Sequence, residues 1–351
     1  MFKNFFMGIA AMAALTLVSC SSDDLNSLSD TPSKNEAISF DSYLGRSAVA
    51  VNGSRGSVLE KKQLQESEEG FGVFGNYTAT DVTTITYGVN LFKNQKVTYS
   101  TDKTKWTYEP VKYWSPVGHI DFLAYAPYDS QYDGDQKFKE SSKLDFTVSS
   151  TITAQKDLLW ANATKQTKTD KPVTFTFKHA LAKIGYSVKT STAAAKGTTI
   201  TLNQITLAGS NDGAKGAFYS AGIIDLSKTS STDLWTNLNS DTKLKFDWVS
   251  SNKDLSSNET KNSDTEYLFV IPQDFSKTTE NADALFVIVE YTIKYGDEKP
   301  VTYTVSSQLK QNFEQGKAYS INLTLGLTPI EFDASVEKWT DFNQKDIDAW
   351  N

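Results

Sequence analysis

Alternation of apolar and polar residues with a period of two is the feature that most constrains this chain. An alternating segment carries its apolar side chains on one face of an extended strand. Such segments occur at Val97/Tyr99, Phe175/Phe177, Ile200/Leu202, Val301/Tyr303/Val305 and Ile321/Leu323/Leu325/Leu327. Helical periodicity is rare, and only residues 180–184 are expected to form one short helical turn. The pattern predicts an all-β fold made of β-sandwiches.

Three denser apolar runs interrupt this alternation. They cover residues 122–126, 267–271 and 285–289. A strand that is buried on both faces consists of a continuous apolar run, because neither face meets water. We therefore expect these three segments to be central strands.

Two strand-rich halves follow one another along the chain. They are separated by residues 162–172, a polar stretch rich in Thr and Lys, and each half has the length of an ordinary domain. We predict one β-sandwich domain over residues 37–172 and a second over residues 173–351. No short internal repeat is evident between the two halves.

The N-terminus has the pattern of a bacterial lipoprotein signal peptide. Lys3 precedes an apolar stretch over residues 5–17 that is too short to span a bilayer, and the stretch ends at Leu17-Val18-Ser19-Cys20. We expect removal of residues 1–19, lipidation of Cys20 and a flexible tether over residues 20–36. An ordinary secretory peptide is the weaker alternative, because a lone thiol is unusual in an exported protein.

Lipidation of Cys20, the only cysteine of the chain, has two consequences. No disulfide can form, so stability has to come from core burial and strand pairing. Two or three acyl chains on one residue give a stable membrane anchor. The sequence therefore predicts a lipoprotein that is attached to a membrane.

Composition and motifs exclude several classes of function. A formal charge of −7 and a pI near 5.1 argue against nucleic-acid binding. His119 and His179 are the only histidines and form no local pair, so we predict no metal site and no cofactor, and we expect His179 to donate to a backbone carbonyl. Asp129, Asp133 and Asp135 lack the other ligands of a calcium loop. No serine comes with a supporting base, so no catalytic residue is assigned.

Four aromatic residues near position 110 have two possible roles. Trp106, Tyr108, Tyr113 and Trp114 would form a platform on which a sugar ring stacks, because aromatic rings offer flat apolar faces. Alternatively, they pack the core of the first domain, where large aromatic side chains contribute the most buried area. We favour the core interpretation.

A linked set of segments resembles the fimbrillin family of Bacteroidetes, the type V pilins and their relatives. The segments are Gly70–Phe74, Trp106–Pro110, Tyr113–Pro116, Asp121–Pro127, Asp157–Trp160, Phe177–Ile184, Ile271–Gln273 and Phe313–Tyr319. The resemblance implies two transthyretin-like β-sandwich domains in tandem and assembly with other fimbrial subunits, identical or different. Ser22-Asp23-Asp24 is also similar to the acidic signal that sends such lipoproteins to the outer face of the outer membrane.

The same resemblance gives a role to a lone arginine. In the family, a trypsin-like protease cuts after an arginine that follows the first strand, which releases the strand and opens a groove in the sandwich. Arg46 matches that position, and Arg55 is a second candidate. In the alternative, which we rate as equal, Arg46 is a surface residue beside an uncut first strand.

The C-terminal extension, which starts at about residue 328, contains another alternating segment. Ile330, Phe332, Ala334 and Val336 project from one face of an extended strand. An extended peptide with alternate apolar residues fits a vacated sheet groove, so we predict that this strand is donated to the next subunit. The alternative is that it completes its own domain, held there by Trp339 and Trp350.

Together, these patterns predict one function. We predict a surface-exposed outer-membrane lipoprotein that becomes a structural subunit of fimbriae after processing and contributes to adhesion, with a host glycan or host protein as a further partner. One alternative is an uncleaved, lipidated anchor or accessory subunit. The other is a solitary surface lipoprotein that binds glycans through Trp106 and Trp114.

Overall fold

We describe the fold from a computed structural model of the chain. The structure describes residues 36–44, 61–80, 85–133, 142–190, 197–248, 252–255, 260–261, 266–277, 283–325 and 331–338. The chain divides into two units, residues 1–35 and residues 36–351, and every described residue belongs to the second. The predicted signal peptide, Cys20, Arg46, Arg55 and Ile330 therefore lie outside the described residues. No helix in the described part of the chain is long and apolar enough to cross a membrane.

The described residues are almost entirely β-structure, which confirms the all-β prediction. The strands are β1 (Phe40–Leu44), β2 (Phe71–Thr78), β3 (Phe92–Ser100), β4 (Lys105–Thr107), β5 (His119–Ala126), β6 (Lys143–Thr147), β7 (Leu159–Gln166), β8 (Val173–His179), β9 (Ala182–Thr190), β10 (Thr198–Ala208), β11 (Phe218–Tyr219), β12 (Ala221–Asp225), β13 (Trp235–Thr236), β14 (Lys243–Leu244), β15 (Phe246–Trp248), β16 (Lys253–Asp254), β17 (Thr260–Lys261), β18 (Leu268–Val270), β19 (Gln273–Asp274), β20 (Phe286–Tyr295), β21 (Val301–Gln308), β22 (Asn312–Phe313), β23 (Lys317–Leu325) and β24 (Glu331–Lys338).

Helical structure in the described residues is limited to one short α-helix and two 3-10 turns. The helix, α1, covers Lys61–Glu66, and the turns cover Ser130–Tyr132 and Ile152–Ala154. The sequence KKQLQE shows no helical period, because Leu64 is its one apolar residue, so periodicity could not predict α1. The helical turn predicted at residues 180–184 is wrong, since β9 already begins at Ala182.

A seven-stranded sheet forms the N-terminal half, in the order β1-β8-β7-β5-β2-β3-β4. All neighbours in it are antiparallel except β1 and β8, which run parallel with Phe40 opposite Val173 and Leu44 opposite Phe177. The predicted alternation is clear on β8, where Val173, Phe175 and Phe177 are buried and the threonines between them are exposed.

Two five-stranded sheets carry the core of the C-terminal half. One has the order β15-β10-β20-β21, with β16 also on β10, and the other has the order β17-β9-β23-β24, with β18 also on β9. Apolar side chains of both sheets, among them Ile205, Val289 and Ile321, share one core. Strand β6 comes from the N-terminal half but pairs with β12 of the C-terminal half, so backbone hydrogen bonds join the two halves.

The dense apolar runs differ in how they are buried. All eight residues of β5 are buried. Phe122 and Ala124 face the N-terminal core, and Leu123 and Tyr125 contribute to the core of the C-terminal half. A central strand buried on both faces is thus confirmed for residues 122–126. Leu268–Val270 are buried as well, but among the described strands β18 pairs only with β9, so it is not a central strand. For residues 285–289 the central position is confirmed, since β20 lies between β10 and β21. Burial on both faces is wrong there, because burial alternates along β20 and side chains between the buried ones are half-buried.

The position of the predicted domain boundary has a structural explanation. Residue 173 is the first residue of β8, which lies in the same sheet as β7, and the chain leaves that sheet at residues 180–181. A polar stretch marks a surface connection between two strands as readily as a linker between domains. The division into two tandem domains therefore stays a prediction.

Candidate functional site

The N-terminal segment, residues 36–44, is an extended chain that contacts both margins of the first sheet. Its first part pairs with the chain after β4: the N–H of Ile38 donates to the carbonyl of Lys112 at 2.8 Å, and the N–H of Trp114 donates to Glu36 at 2.9 Å. Its second part, β1, pairs with β8 on the other margin. One short segment thus bridges β8 and the chain that follows β4.

The N-terminal segment also fills the core of this half. Ile38 and Phe40 are 2% and 4% exposed. Four rings surround the ring of Phe40 at centroid distances of 5.4–5.6 Å, and we call them the Phe40 pocket: Phe92, Tyr108, Phe122 and Phe175. Burial of an isoleucine or phenylalanine side chain stabilises a fold by about 1.5–3 kcal/mol. Removal of the segment would therefore open an apolar groove lined by aromatic rings.

Polar contacts fix the register of the segment in this groove. The hydroxyl of Tyr108 donates to the carbonyl of Ile38 at 2.7 Å, and burial raises the pKa of this hydroxyl to about 12. Ser42 is buried too, but its hydroxyl has no hydrogen-bond partner in the described part of the chain. An unpartnered buried hydroxyl costs about 1–3 kcal/mol. The third inward position of the segment is therefore filled poorly.

The C-terminal strand β24 lies in a different sheet. It pairs antiparallel with β23 of its own chain, from Thr324 opposite Glu331 to Lys317 opposite Lys338, and it forms the edge of that sheet. By register, Phe332, Ala334 and Val336 lie opposite Leu323, Ile321 and Tyr319, which are buried. This arrangement matches the alternative in which the strand completes its own domain, and donation to another subunit stays a prediction.

The two end segments share a short sequence pattern. Residues 38–44 are Ile-Ser-Phe-Asp-Ser-Tyr-Leu, and residues 330–336 are Ile-Glu-Phe-Asp-Ala-Ser-Val. Isoleucine, phenylalanine and aspartate recur at the same places, and both segments end on an aliphatic residue. The two segments agree at three of seven positions, which is a short local match between two alternating strands and not a repeat of the two halves.

The aromatic residues near position 110 are mostly core. Trp106, Tyr108 and Trp114 are buried among the side chains of the N-terminal core, which confirms the core interpretation for these three. Tyr113 differs, because 53% of its surface is exposed. The rings of Trp106 and Trp114 therefore offer no open face on which a sugar could stack.

Both histidines face a carboxylate. Nε2 of His119 lies 3.3 Å from Oδ2 of Asp121, and Nδ1 of His179 lies 2.7 Å from Oδ2 of Asp157. Nδ1 of His179 thus contacts a side chain, and the backbone carbonyl predicted as a partner of His179 stays a prediction. Asp121 also accepts the N–H of Lys165 at 2.7 Å. Each pair is buried inside the first sheet or at its end, a position that suits a structural role.

The acidic residues suggested by the calcium-loop pattern have ordinary roles. Asp129 caps the turn Ser130–Tyr132, and Asp133 accepts hydrogen bonds from Asn94 and Tyr128. Asp135 lies outside the described residues. Among the described residues, no group of three or more His, Cys, Asp or Glu side chains is arranged to hold a metal ion.

Comparison with known proteins identifies the family. A model of the fimbrillin-like family matches residues 58–339, which is well over half of the chain. The chain belongs to the fimbrillin-like family. This fimbrillin-like chain is also 25% identical to the fimbrium subunit Fim1C of Phocaeicola vulgatus, over 97% of this chain and 98% of that protein.

Solved structures share the fold of this fimbrillin-like chain. A fimbrial protein of Bacteroides vulgatus superimposes with a TM-score of 0.66 at 22% identity and covers 87% of this chain and 100% of that one. A protein of Bacteroides uniformis proposed to act in cell adhesion gives a TM-score of 0.50 at 16% identity, with 87% of this chain and 99% of that one covered.

Proposed function

We propose that this fimbrillin-like chain is a structural subunit of cell-surface fimbriae that assembles by exchange of its N-terminal strand and contributes to adhesion. The names of its relatives support the first part, since one is a fimbrium subunit and another a fimbrial protein. Its partners are then other fimbrial subunits, identical or different, and a host glycan or host protein. It reaches the outer membrane as a lipoprotein through Cys20.

The observation that carries the exchange is the match between residues 38–44 and residues 330–336. In the N-terminal segment the inward residues are Ile38, Phe40 and Ser42, and the corresponding residues of the C-terminal segment are Ile330, Phe332 and Ala334. The Phe40 pocket would receive Phe332, so the donated strand needs no new pocket. Because the two patterns run in the same direction, the donor would lie parallel to β8, as β1 does.

The position of Ser42, which corresponds to Ala334 of the donor, favours binding of the donor over the original strand. Ser42 buries a hydroxyl without a partner, and Ala334 would place a methyl group there. This replacement removes a desolvation cost of about 1–3 kcal/mol. The original strand therefore keeps the subunit folded, but at the position of Ser42 it fits the groove less well than the donor strand would.

Proteolysis would make the exchange possible. A cut after Arg46 by a trypsin-like protease separates the N-terminal segment from the rest of the chain and leaves it held only by its contacts with the groove. Arg55 is the second candidate for the cut. The same cut removes Cys20 and its acyl chains from the subunit, so the subunit passes from the outer membrane to the fimbrium.

The position of the cut is tested by N-terminal sequencing of protein sheared from the cell surface. A polymer that begins at Ser47 supports cleavage after Arg46, and one that begins at Gly56 supports cleavage after Arg55. Arg46→Ala should then keep the subunit lipidated and out of the fibre, with Arg55→Ala as the matched control. Polymerised protein that still begins at lipidated Cys20 would contradict exchange and support the anchor or accessory role.

The register is tested with a synthetic peptide of residues 328–338 and subunit processed by trypsin. We expect the peptide to bind once the N-terminal segment has been displaced. Phe332→Ala in the peptide should weaken binding by at least about 100-fold, which corresponds to about 3 kcal/mol for an unfilled aromatic pocket. Asp333→Ala, which changes the outward-facing neighbour, is the control and should bind nearly as well as the parent peptide. Equal binding of the parent and Phe332→Ala peptides would exclude this register.

A further inference from the structure

Strand β21 is an unusual edge. It has eight residues, Val-Thr-Tyr-Thr-Val-Ser-Ser-Gln, without a charge, a proline or a glycine. It pairs with β20 on one side, and among the described residues no strand pairs with its other side. Proteins normally protect a long edge by shortening it or by placing charges on it, because unpaired N–H and C=O groups recruit other strands.

The other sheet edges in the described part of the chain have such protection. β4, β15 and β18 have three residues each, and β11, β13, β14, β16, β17, β19 and β22 have two. β6 has five residues and carries Lys143 and Asp145. β1 has five residues and one aspartate, and β24 carries Glu331, Asp333, Glu337 and Lys338. The exception is therefore specific to β21.

The apolar face of β21, which adjoins the buried face of β20, is largely exposed to solvent. By register, Val301 and Tyr303 lie opposite Ile293 and Tyr291 of β20, which are buried. Val301 and Tyr303 themselves are 46% and 40% exposed, and the ring of Tyr303 stacks on that of Tyr291 at 5.6 Å. The apolar face of the sheet thus extends one strand beyond the core that covers it.

We propose that β21 pairs with β21 of a second copy of this chain, antiparallel and about a two-fold axis at Thr304. The two sheets then continue into one another across the contact. Antiparallel self-pairing satisfies both edges at once and leaves no free edge on β21 of either copy. Each Tyr303 lies beside Val305 of the other copy, and aromatic and β-branched residues are favourable cross-strand neighbours.

The charges around β21 select a second copy as the partner. The strand is neutral, so it does not repel itself although the chain carries a net charge of −7. The hairpin before it contains Asp297, Glu298 and Lys299, and Lys310 follows it, all four exposed. With Thr304 on the axis, the acidic residues Asp297 and Glu298 of one copy lie near the end of the contact at which Lys310 of the other copy follows β21, so charges of both signs meet at each end.

This contact is independent of strand exchange. β1 and β24 belong to other sheets than β21, so self-pairing of β21 and exchange at the N-terminal groove use different strands. Self-pairing of β21 would join subunits side by side, and strand exchange would join them in a row. A failure of one of them does not imply a failure of the other.

The register is tested by cysteine cross-linking of the full, unprocessed chain. Thr304→Cys should give a disulfide-linked dimer on a non-reducing gel, because residues opposite each other in an antiparallel pair have Cα atoms about 4.5–5.5 Å apart, within the range of a disulfide. Ser306→Cys is the matched control. Its two copies would lie about 13 Å apart along the strands and should not cross-link. Equal cross-linking of the two variants, or none at Thr304→Cys, would overturn the proposal.

A second measurement uses charge instead of a covalent link. Thr304→Lys places two like charges opposite each other at the axis and should raise the dissociation constant of the dimer at least about tenfold in sedimentation equilibrium. Glu290 lies opposite Thr304 within the subunit, so the monomer tolerates the lysine. Thr176→Lys, at an exposed position on β8 between two paired strands, should leave the dimer unchanged. A parent chain that sediments as a monomer, or equal effects of both lysines, would contradict the two-fold contact.

Discussion

The two end strands carry nearly the same short pattern and are held in different ways. β1 makes five parallel pairs with β8 and buries Phe40 among four aromatic rings. β24 makes eight antiparallel pairs with β23 at the edge of another sheet and carries four charged residues. β1 is therefore held in a pocket of aromatic rings, and β24 pairs through a backbone ladder at the edge of its sheet. Because no described strand lies beyond β24, its ladder can separate from β23 without breaking another described strand pair.

The largest expected difference between the two strands is in assembly. Deletion of residues 330–351 should abolish polymers completely, since no donor remains, and should leave a folded monomer, since the ladder on β23 lies at an edge. Electron microscopy of surface protein and circular dichroism of the purified chain check the two parts. An unfolded product would show that β24 is indispensable to its own domain and would reverse the comparison.

Phe40→Ala should strongly destabilise the unprocessed subunit. Truncation of a phenylalanine enclosed by rings costs about 3–5 kcal/mol through lost burial and an unfilled cavity. Denaturant unfolding of the parent, of Phe40→Ala and of the exposed control Thr174→Ala measures this. If the loss for Phe40→Ala is below about 1 kcal/mol, β1 does not depend on its pocket.

Ser42→Ala should act in the opposite direction. It removes a buried hydroxyl without a partner, so the free energy of unfolding should rise by about 1 kcal/mol. An N-terminal segment that fits the groove better should also be replaced more slowly by the peptide of residues 328–338 after cleavage. Thermal unfolding and the rate of peptide uptake are the two measurements. A decrease in stability would mean that the hydroxyl is hydrogen-bonded in solution, for example to water.

Tyr108→Phe should give the smallest effect. It removes the hydrogen bond to the carbonyl of Ile38, worth about 0.5–1.5 kcal/mol. The pH dependence of the stability is a more specific test than the size of the loss. The pKa of Tyr108 is about 12 in the folded chain against 10.0 for an ordinary tyrosine, so the folded state holds the proton more tightly, and stability falls as the pH rises from about 10 to about 12.

Other buried tyrosines contribute to the same alkaline loss, so the prediction concerns a difference. Between pH 10 and pH 12 the parent chain should lose more stability than Tyr108→Phe, and below pH 9 the two curves should run parallel. Urea unfolding at several pH values checks this. Parallel curves over the whole range would mean that the segment around Ile38 is already open before Tyr108 ionises.

Much of the fold could be predicted because alternation is a local signal. The periods at Phe175/Phe177 and Ile321/Leu323 correspond to β8 and β23, and the dense run at residues 122–126 corresponds to a strand between two cores. Where a prediction of burial failed, the deciding fact was which faces of the strand were covered. The run at residues 285–289 has the composition of a doubly buried strand, yet one face of β20 is only half covered.

The candidate site was only partly predictable for the same reason. Residues 38–41 could be recognised as a strand and residues 330–336 as another, but their common pattern becomes meaningful only when the surroundings of β1 are known. Arg46 and Cys20 are predictions from sequence alone and lie outside the described residues. The unpartnered hydroxyl of Ser42 is visible only in three dimensions, because no sequence pattern reports what surrounds a serine.

The sequence by itself determined that the chain forms strands, which residues of each strand face inward, and that the chain belongs among the fimbrillin-like proteins. These properties depend on residues close together in the chain or on similarity to relatives. Only the tertiary structure decided which strands become neighbours: β1 lies parallel to β8, β6 crosses to β12, and β21 is left at an unprotected edge. Alternation indicates which face of a strand is buried. It does not indicate which strand lies beside it, because every backbone offers the same N–H and C=O groups.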